Sequence, residues 1–341
     1  MKQTKFLSSP SLRTICIFAI GMAMCLPAKS QEATVNRRFD VNRDGKVTVT
    51  DVMLVVSYIF GSVNDDEPQL IFSNDCLTIN QGNTASVTIS GGSNRYLSVS
   101  SNPSVAYPVV QDNVMVIHTL NRGDANITVR DINGFCDYIV KVMVTGTAPS
   151  SAEPVDLGLP SGLKWASFNV GATAPEESGA YYAWGEINEK DNYDWSSYIH
   201  CEGSMSTVKD IGDDISMTAY DAAFMNWGGT WRMPTHDEVE ELVENCTWKW
   251  MTVNGVNGMQ ATGPSGETIF FPASGYRAGT KTYSSGYFGS YWTSTHSESY
   301  NSGGGYTLGT GNAYYLSVSK TKAFVDNYYQ NEGYTIRAVT N

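Results

Sequence analysis

Gly229-Thr-Trp231-Arg232-Met-Pro234-Thr235-His-Asp-Glu238-Val239-Glu-Glu-Leu242-Val243 carries the clearest local signal in the chain. Thr235 followed three residues later by Glu238 is a capping box: the Thr hydroxyl accepts from the Glu238 amide while the Glu238 carboxylate reaches back to the Thr amide. Val239, Leu242 and Val243 fall on one helical face, so the spacing predicts a helix from Thr235 to about Glu244. Around this helix the text is of strand type. Ile269-Phe-Phe-Pro272 and Gly289-Ser-Tyr-Trp292-Thr-Ser294 follow, with Asn254-Gly255 and Pro264-Ser-Gly266 as turns. All eight tryptophans lie between Trp165 and Trp292. Such concentration of large aromatics predicts a densely packed, loop-rich α+β domain over residues 155–341.

Composition extends this outward. A chain of 341 residues has room for about two or three domains. With 41% hydrophobic and 16% charged residues it is too apolar for disorder. Thirty-two glycines and twenty tyrosines among many Ser, Thr, Asn and Val predict a mainly β protein with minor helix. The net charge of −12 works against a nucleic-acid partner, because that affinity comes from cations neutralising phosphates. Between Leu70 and Val144, short runs such as Leu77-Thr-Ile79, Ala85–Ile89, Val114–Ile117, Ile127–Val129 and Tyr138–Val144 alternate with Gly and Asn turns. They predict an antiparallel β-sandwich over residues 67–147, a spacer in which His118 is structural. Residues 148–154, rich in Pro and Ser, read as a linker.

The N-terminal segment has a different character. Lys2, Lys5 and Arg13 precede an apolar run, and Ala28-Lys29-Ser30 closes it, the layout of a secretory signal peptide over residues 1–30. Losing Lys2, Lys5, Arg13 and Lys29 would take the charge from −12 to −16. Lipid anchoring at Cys25 is the alternative, opposed by Met24 where a small residue is expected. No later stretch is long enough for a transmembrane span. Cys76, Cys136, Cys201 and Cys246 remain after processing, and an exported compartment permits disulfides. Pairing within domains would give Cys76–Cys136 and Cys201–Cys246, one of three connectivities. Within residues 31–66, Asp40, Asn42, Asp44, Lys46, Thr48 and Asp51 stand at positions 1, 3, 5, 7, 9 and 12 of an EF-hand-like loop, with Gly45 at position 6. Carboxylates and an amide at alternate residues, the Lys46 carbonyl and a water-mediated Thr48 suit calcium. A short helix from Thr50 to Phe60 follows.

Several of these stretches resemble known families. The calcium loop resembles one half of a type I dockerin, with Asp51 at position 12. A full dockerin has two halves, so a cohesin-like partner and a loop that only stiffens the module stay open as alternatives. Gly123-Asp-Ala-Asn-Ile127-Thr-Val129-Arg-Asp131 is similar to bacterial Ig-like surface domains. From Val155 to Val339 the order of motifs, with Leu157-Gly-Leu-Pro-Ser-Gly162-Leu-Lys-Trp165, Tyr182-Ala-Trp184-Gly185-Glu186, the Trp231 segment and Tyr334-Thr-Ile336-Arg337, resembles the Fibrobacter succinogenes major paralogous domain. That family, common on surface proteins of Bacteroidota, implies a C-type lectin-like fold. Trp231-Arg-Met-Pro-Thr-x-x-Glu238 is also similar to formylglycine-generating enzymes, which bind copper through a late cysteine pair, and no cysteine follows Cys246 here. The calcium-dependent sugar motifs of lectins are absent as well.

No catalytic constellation stands out, so no enzyme activity is expected. His200, His236 and His296 are scattered, and Glu176-Glu177 and Asp213-Asp214 are adjacent rather than spaced for a two-carboxylate site. The last sixty residues differ: Tyr283, Tyr287, Tyr291, Tyr300, Tyr306, Tyr314, Tyr315, Tyr328 and Tyr329 are interleaved with Ser, Gly and Asn. That mixture supplies adaptable contact area at low entropic cost, and the alternative is that the tyrosines only fill a core poor in leucine. The expectation is an exported cell-surface adhesion protein that binds a glycan or a protein ligand through its C-terminal domain. The alternatives are a structural subunit of a pilus or surface assembly, or a non-catalytic accessory module of a polysaccharide-degrading system. Titration of the mature chain with calcium should give binding heat that Asp44→Ala abolishes; an unchanged isotherm would remove the loop assignment.

Overall fold

The computed structural model describes residues 69–134, 136–297 and 311–341. Apolar side chains alternate with polar ones within the short runs Leu77–Ile79, Ala85–Ile89 and Ile127–Val129, and the backbone answers with two facing four-stranded sheets. One has the order β1 (Ile71–Phe72), β3 (Thr84–Ser90), β6 (Val114–Thr119), β5 (Ala106–Gln111). The other has the order β2 (Cys76–Asn80), β8 (Tyr138–Thr145), β7 (Gly123–Asp131), β4 (Tyr96–Ser100). Val87, Ile89, Met115 and Ile117 from the first sheet meet Ile127, Val129, Val140, Val142 and Val144 from the second in one buried core. The sheets are not wholly antiparallel, as the sequence suggested: β2 and β8 run parallel, with Leu77 opposite Val142 and Ile79 opposite Val144. A parallel pair needs a long crossover, and here the rest of the sandwich is that crossover. Pro108 sits on the edge strand β5, where a missing N–H breaks no ladder.

Residues 148–154, read as a linker, start at a point fixed by backbone hydrogen bonds. The Gly146 amide donates to Met225 O and the Ala148 amide to Trp227 O, both at 2.8 Å. A Cβ at Gly146 would lie 2.0 Å from Asn226 O, so only glycine lets the two backbones meet. Pro154–Val155 then forms β9, which pairs with β10 (Lys164–Ala166); β10 also pairs with β19 (Val339–Thr340). Trp165 stands between Val155 and Val339, so the domain's first and last strands flank β10 on its two sides.

Helix α1 (Ala222–Trp227) and helix α2 (His236–Asn245) lie between these strands. The capping box of α2 forms as its sequence predicts: the Glu238 amide donates to Thr235 Oγ1 at 3.3 Å and the Thr235 amide to Glu238 Oε2 at 2.8 Å. Arg232 forks onto the same carboxylate at 2.8 and 2.5 Å. Val239 and Leu242 are buried. Asp221, fully buried, caps α1 and receives the amides of Phe224, Met217 and Met233, which ties α1 to the strand entering α2. Burial pushes its carboxyl up to about 6 against those donors.

Two more sheets complete the domain. β11 (Thr247–Val253), β12 (Val256–Thr262) and β13 (Thr268–Pro272) form one, with Asn254 and Gly255 both at positive φ in the two-residue turn. β16 (Phe288–Ser297), β17 (Asn312–Ser319) and β18 (Ala323–Tyr329) form the other, and β14 (Tyr276–Ala278) pairs with β15 (Lys281–Tyr283) as a hairpin beside it. Trp184 and Trp292 satisfy their buried indoles reciprocally, on Thr293 O and Tyr182 O. Arg337 is buried with its guanidinium on Asn169 Oδ1 at 2.8 Å, Ala166 O at 3.0 Å and Phe270 O at 2.6 Å. The fold class is therefore mainly β with minor α, a sandwich followed by an α+β domain.

The cysteines correct the sequence expectation, because no disulfide joins Cys76, Cys136, Cys201 and Cys246. Cys76 is exposed on β2 opposite Lys141. The Cys201 thiol donates to Trp195 O at 3.1 Å within the Trp195–Tyr198 cluster, whereas Cys246 packs beside Trp248 at the end of α2. Burial pushes the Cys246 thiol up to about 11, which keeps it protonated and inert. Residues 1–30, read as a signal peptide, with Cys25, and the stretch Asp40–Asp51 read as a calcium loop lie outside the described residues. Among the described residues no helix is long and apolar enough to cross a membrane. Thr235→Ala should cost about 1 kcal/mol in urea unfolding. Arg337→Leu leaves three buried acceptors unpaired at about 1–3 kcal/mol each, so it should cost several times more.

Candidate functional site

The hairpin β14–β15 places Tyr276 opposite Tyr283, and their rings stack at 5.6 Å with 25° between planes. Phe288, the first residue of β16, stacks on Tyr276 at 5.9 Å and 18°. Tyr334 meets the edge of Tyr276 at 6.2 Å and stacks on Trp292 at 4.1 Å. Tyr315 then closes on Tyr334 at 4.9 Å. Cross-strand pairing explains the continuation. Trp292 is opposite Tyr315, which is opposite Asp326, and Ala313 is opposite Tyr328, so these residues share one face of the β16–β18 sheet.

Glu332 sits among these rings. It is 9% exposed, and its Oε2 accepts from the Tyr334 hydroxyl at 3.4 Å. Burial pushes its carboxyl up to about 7, against a smaller opposing pull from that hydroxyl. Burial first, and then the Asp326 and Glu332 charges, raise the Tyr315 phenol. Burial followed by Glu332 does the same to Tyr276 and Tyr334. The phenols therefore stay protonated at neutral pH, and the carboxyl switches between donor and acceptor there. Flat rings with polar tips around one buried carboxyl can stack on a ligand and hydrogen-bond its hydroxyls.

Of the tyrosines named from sequence, Tyr283 at 43% exposure, Tyr328 at 39% and the half-buried Tyr315 belong to this face. Tyr287 is exposed beside it. Tyr291 does not belong: at 2% exposure it is core, its hydroxyl donating to Pro272 O. Tyr314 and Tyr329 lie on the opposite face, Tyr314 against His236 at 4.2 Å and Tyr329 against Trp195 at 5.8 Å. Tyr300 and Tyr306 lie outside the described residues. Tyr276, Phe288, Glu332 and Tyr334 carry no site signal in the sequence; of them only Tyr334 stands in a motif quoted above, Tyr334-Thr-Ile336-Arg337.

His236 is not the solvated residue its place in the first turn suggests. Its ring is half-buried, with Nδ1 3.0 Å from Asp237 and Nε2 3.4 Å from Glu240. These three side chains are close enough to share a cation, yet Asp237 in the first turn of α2 is accounted for by the helix dipole and Glu240 is an exposed surface acid one turn from His236. His118 stacks on Tyr107 at 5.0 Å on the outer face of the sandwich, a packing role.

No family model matches the chain, and no curated protein matches it. Among solved structures, domains 4 and 5 of the S-layer protein SbsC share 14% identity over 23% of this chain and 53% of that one, with a TM-score of 0.21. Domains 5–6 of the same protein share 13% identity over 77% of this chain and 97% of that one, with a TM-score of 0.22. A DUF4784 family protein from Bacteroides caccae shares 9% identity over 61% and 45% of the two chains, with a TM-score of 0.17. Likeness at this level carries no argument about function.

Glu332 links folding to pH. The folded chain holds this proton up to about pH 7, whereas the unfolded chain releases it near 4.5, so the native state binds it more tightly. The resulting stability is complete below pH 4.5 and is lost as pH rises through 7. Melting temperatures across this window should fall more for the unmodified chain than for Glu332→Gln; parallel curves would place the carboxyl in water.

Proposed function

We propose that the chain is an exported cell-surface binding protein whose C-terminal domain, of C-type lectin-like type, holds a glycan against the Tyr276–Tyr283–Phe288 face. The observation that carries this is the stack of three rings joined to Tyr334, Tyr315 and the buried Glu332 carboxyl. A sugar ring offers an apolar face to such a platform and hydroxyls to the phenols and the carboxyl. The signal-peptide layout of residues 1–30 supports export, with Cys25 as the alternative anchor. The sandwich serves as spacer. A calcium ion on Asp40, Asn42, Asp44, Lys46, Thr48 and Asp51 stiffens the N-terminal module. The protein has no catalytic role in this proposal, and the sugar face needs no metal.

The test is a glycan and protein array probed with the mature chain, residues 31–341. Combined Tyr276→Ala and Tyr315→Ala should weaken binding about tenfold or more, because a few central aromatics dominate such contacts. Combined Tyr314→Ala and Tyr329→Ala, on the opposite face, should leave it unchanged, and so should a calcium chelator. Binding that survives loss of Tyr276 and Tyr315, or an array with no bound glycan, would favour a structural subunit of a surface assembly.

A further inference from the structure

A second site lies where the sandwich meets the C-terminal domain. Gln81, Asn121 and Arg122 from the sandwich, Gly146 from the connection, and Asn188 and Asn226 from the C-terminal domain line a cleft of about 350 Å³. That size is within the range of small-ligand sites, which favour domain boundaries. Its lining differs from the usual one, because it holds four side-chain amides and one guanidinium and no aliphatic or aromatic side chain. Such a lining suits a small polar ligand.

Arg122 sets its charge. Nη1 donates to Asn226 Oδ1, and Nη2 donates to Asn188 Oδ1 at 2.8 Å. Both acceptors are neutral, so the amides fix the guanidinium across the domain boundary without cancelling its charge. Among the described residues no carboxylate is ion-paired with it. In a chain of net charge −12 a held, unneutralised guanidinium beside a cleft is the complement of an anion.

The amides sort themselves by role. The Gln81 amide nitrogen is engaged on Leu120 O at 2.9 Å, and that of Asn121 on Ser104 O at 2.8 Å. Their side-chain oxygens are left to accept from ligand hydroxyls. Asn226 spends its nitrogen on Ile187 O and Ala222 O, which fixes its oxygen toward Arg122. Asn188 is the amide whose nitrogen engages no protein acceptor among the described residues, so it can donate beside the guanidinium. A positive fork and an amide donor next to two carbonyl acceptors match a carboxylate attached to a hydroxyl-bearing body.

We propose that this cleft binds a small polyhydroxylated carboxylate of the uronic-acid type through Arg122 and Asn188, independently of the aromatic face. Planar carboxylates suit the guanidinium fork, and the bound anion would lock the two domains by joining groups from both.

Calorimetry on the mature chain with sodium glucuronate tests this. Binding heat is expected with glucuronate and none with methyl glucoside, and the affinity should fall as salt is added. Arg122→Gln should lower affinity about tenfold or more. Because that variant also removes the bridge between domains, Asn188→Asp decides the matter. It keeps an acceptor for Arg122 and the fold's melting temperature, but supplies an internal carboxylate that neutralises the guanidinium, so glucuronate binding should be lost. Absence of heat with glucuronate, or Asn188→Asp binding it as tightly as the unmodified chain, would overturn the proposal. An oligosaccharide ending in glucuronate that binds more tightly than the free acid would identify a glycan as the source. Equal affinity would identify the free acid, and both results support the carboxylate site. Tyr276→Ala with Tyr315→Ala should not alter this heat, which separates failure here from failure of the aromatic face.

Discussion

The C-terminal domain depends on one buried positive charge. Among the described residues Arg337 has no carboxylate for a partner. Its guanidinium is held by the Asn169 side chain and by two backbone carbonyls, Ala166 on β10 and Phe270 on β13, and lies over the Phe271 ring at 4.8 Å. Burial lowers its affinity for the proton to about 10, still far above neutrality, so the charge persists and must be solvated by these oxygens. Three parts of the chain, near residues 166–169, 270 and 337, are thereby brought to one point. The stretch immediately before Arg337 is Gln330 to Ile336, all buried. Fixing Arg337 therefore also fixes Glu332 and Tyr334 beneath the aromatic face.

That dependence explains why the face is assembled rather than local. Tyr276 and Tyr283 come from one hairpin, Phe288 and Trp292 from β16, Tyr315 from β17, Tyr328 from β18, and Glu332 and Tyr334 from the closing segment. Side-chain rings along one strand alternate between faces, and a contiguous platform needs contributions from several strands.

Local chemistry made part of this legible in the sequence. The Thr235–Glu238 box and the Asn254-Gly255 turn encode their own geometry within four residues, and both formed where their residues stand. Strong alternation revealed β2, β3, β6, β7 and β8. It did not reveal β4, whose Leu97 and Val99 alternate with serines and remain exposed, or β5, where Pro108 interrupts the text. Tyrosine richness pointed to the correct region without distinguishing faces: adjacent Tyr314 and Tyr315 part to opposite sides, and Tyr291 turns into the core. Glu332 and the Arg122 cleft depend on residues far apart in sequence, for which spacing holds no signal. Cysteine parity misled for a similar reason, since Cys201 and Cys246 belong to separate packed clusters.

The pairing of β9, β10 and β19 has a mechanical consequence. Tension applied to the chain from its N-terminal side would enter this domain at Pro154, on the strand beside β10. The opposite end of the domain, Val339–Thr340, is paired to that same β10. The load is therefore borne by one small sheet at the domain's entry, together with the amide contacts at Gly146 and Ala148. A ligand pulled by flow or by a moving surface would load the ring platform on β14–β18 and this entry sheet in series, so the hydrogen bonds of β9, β10 and β19 set how much pull the domain can pass on.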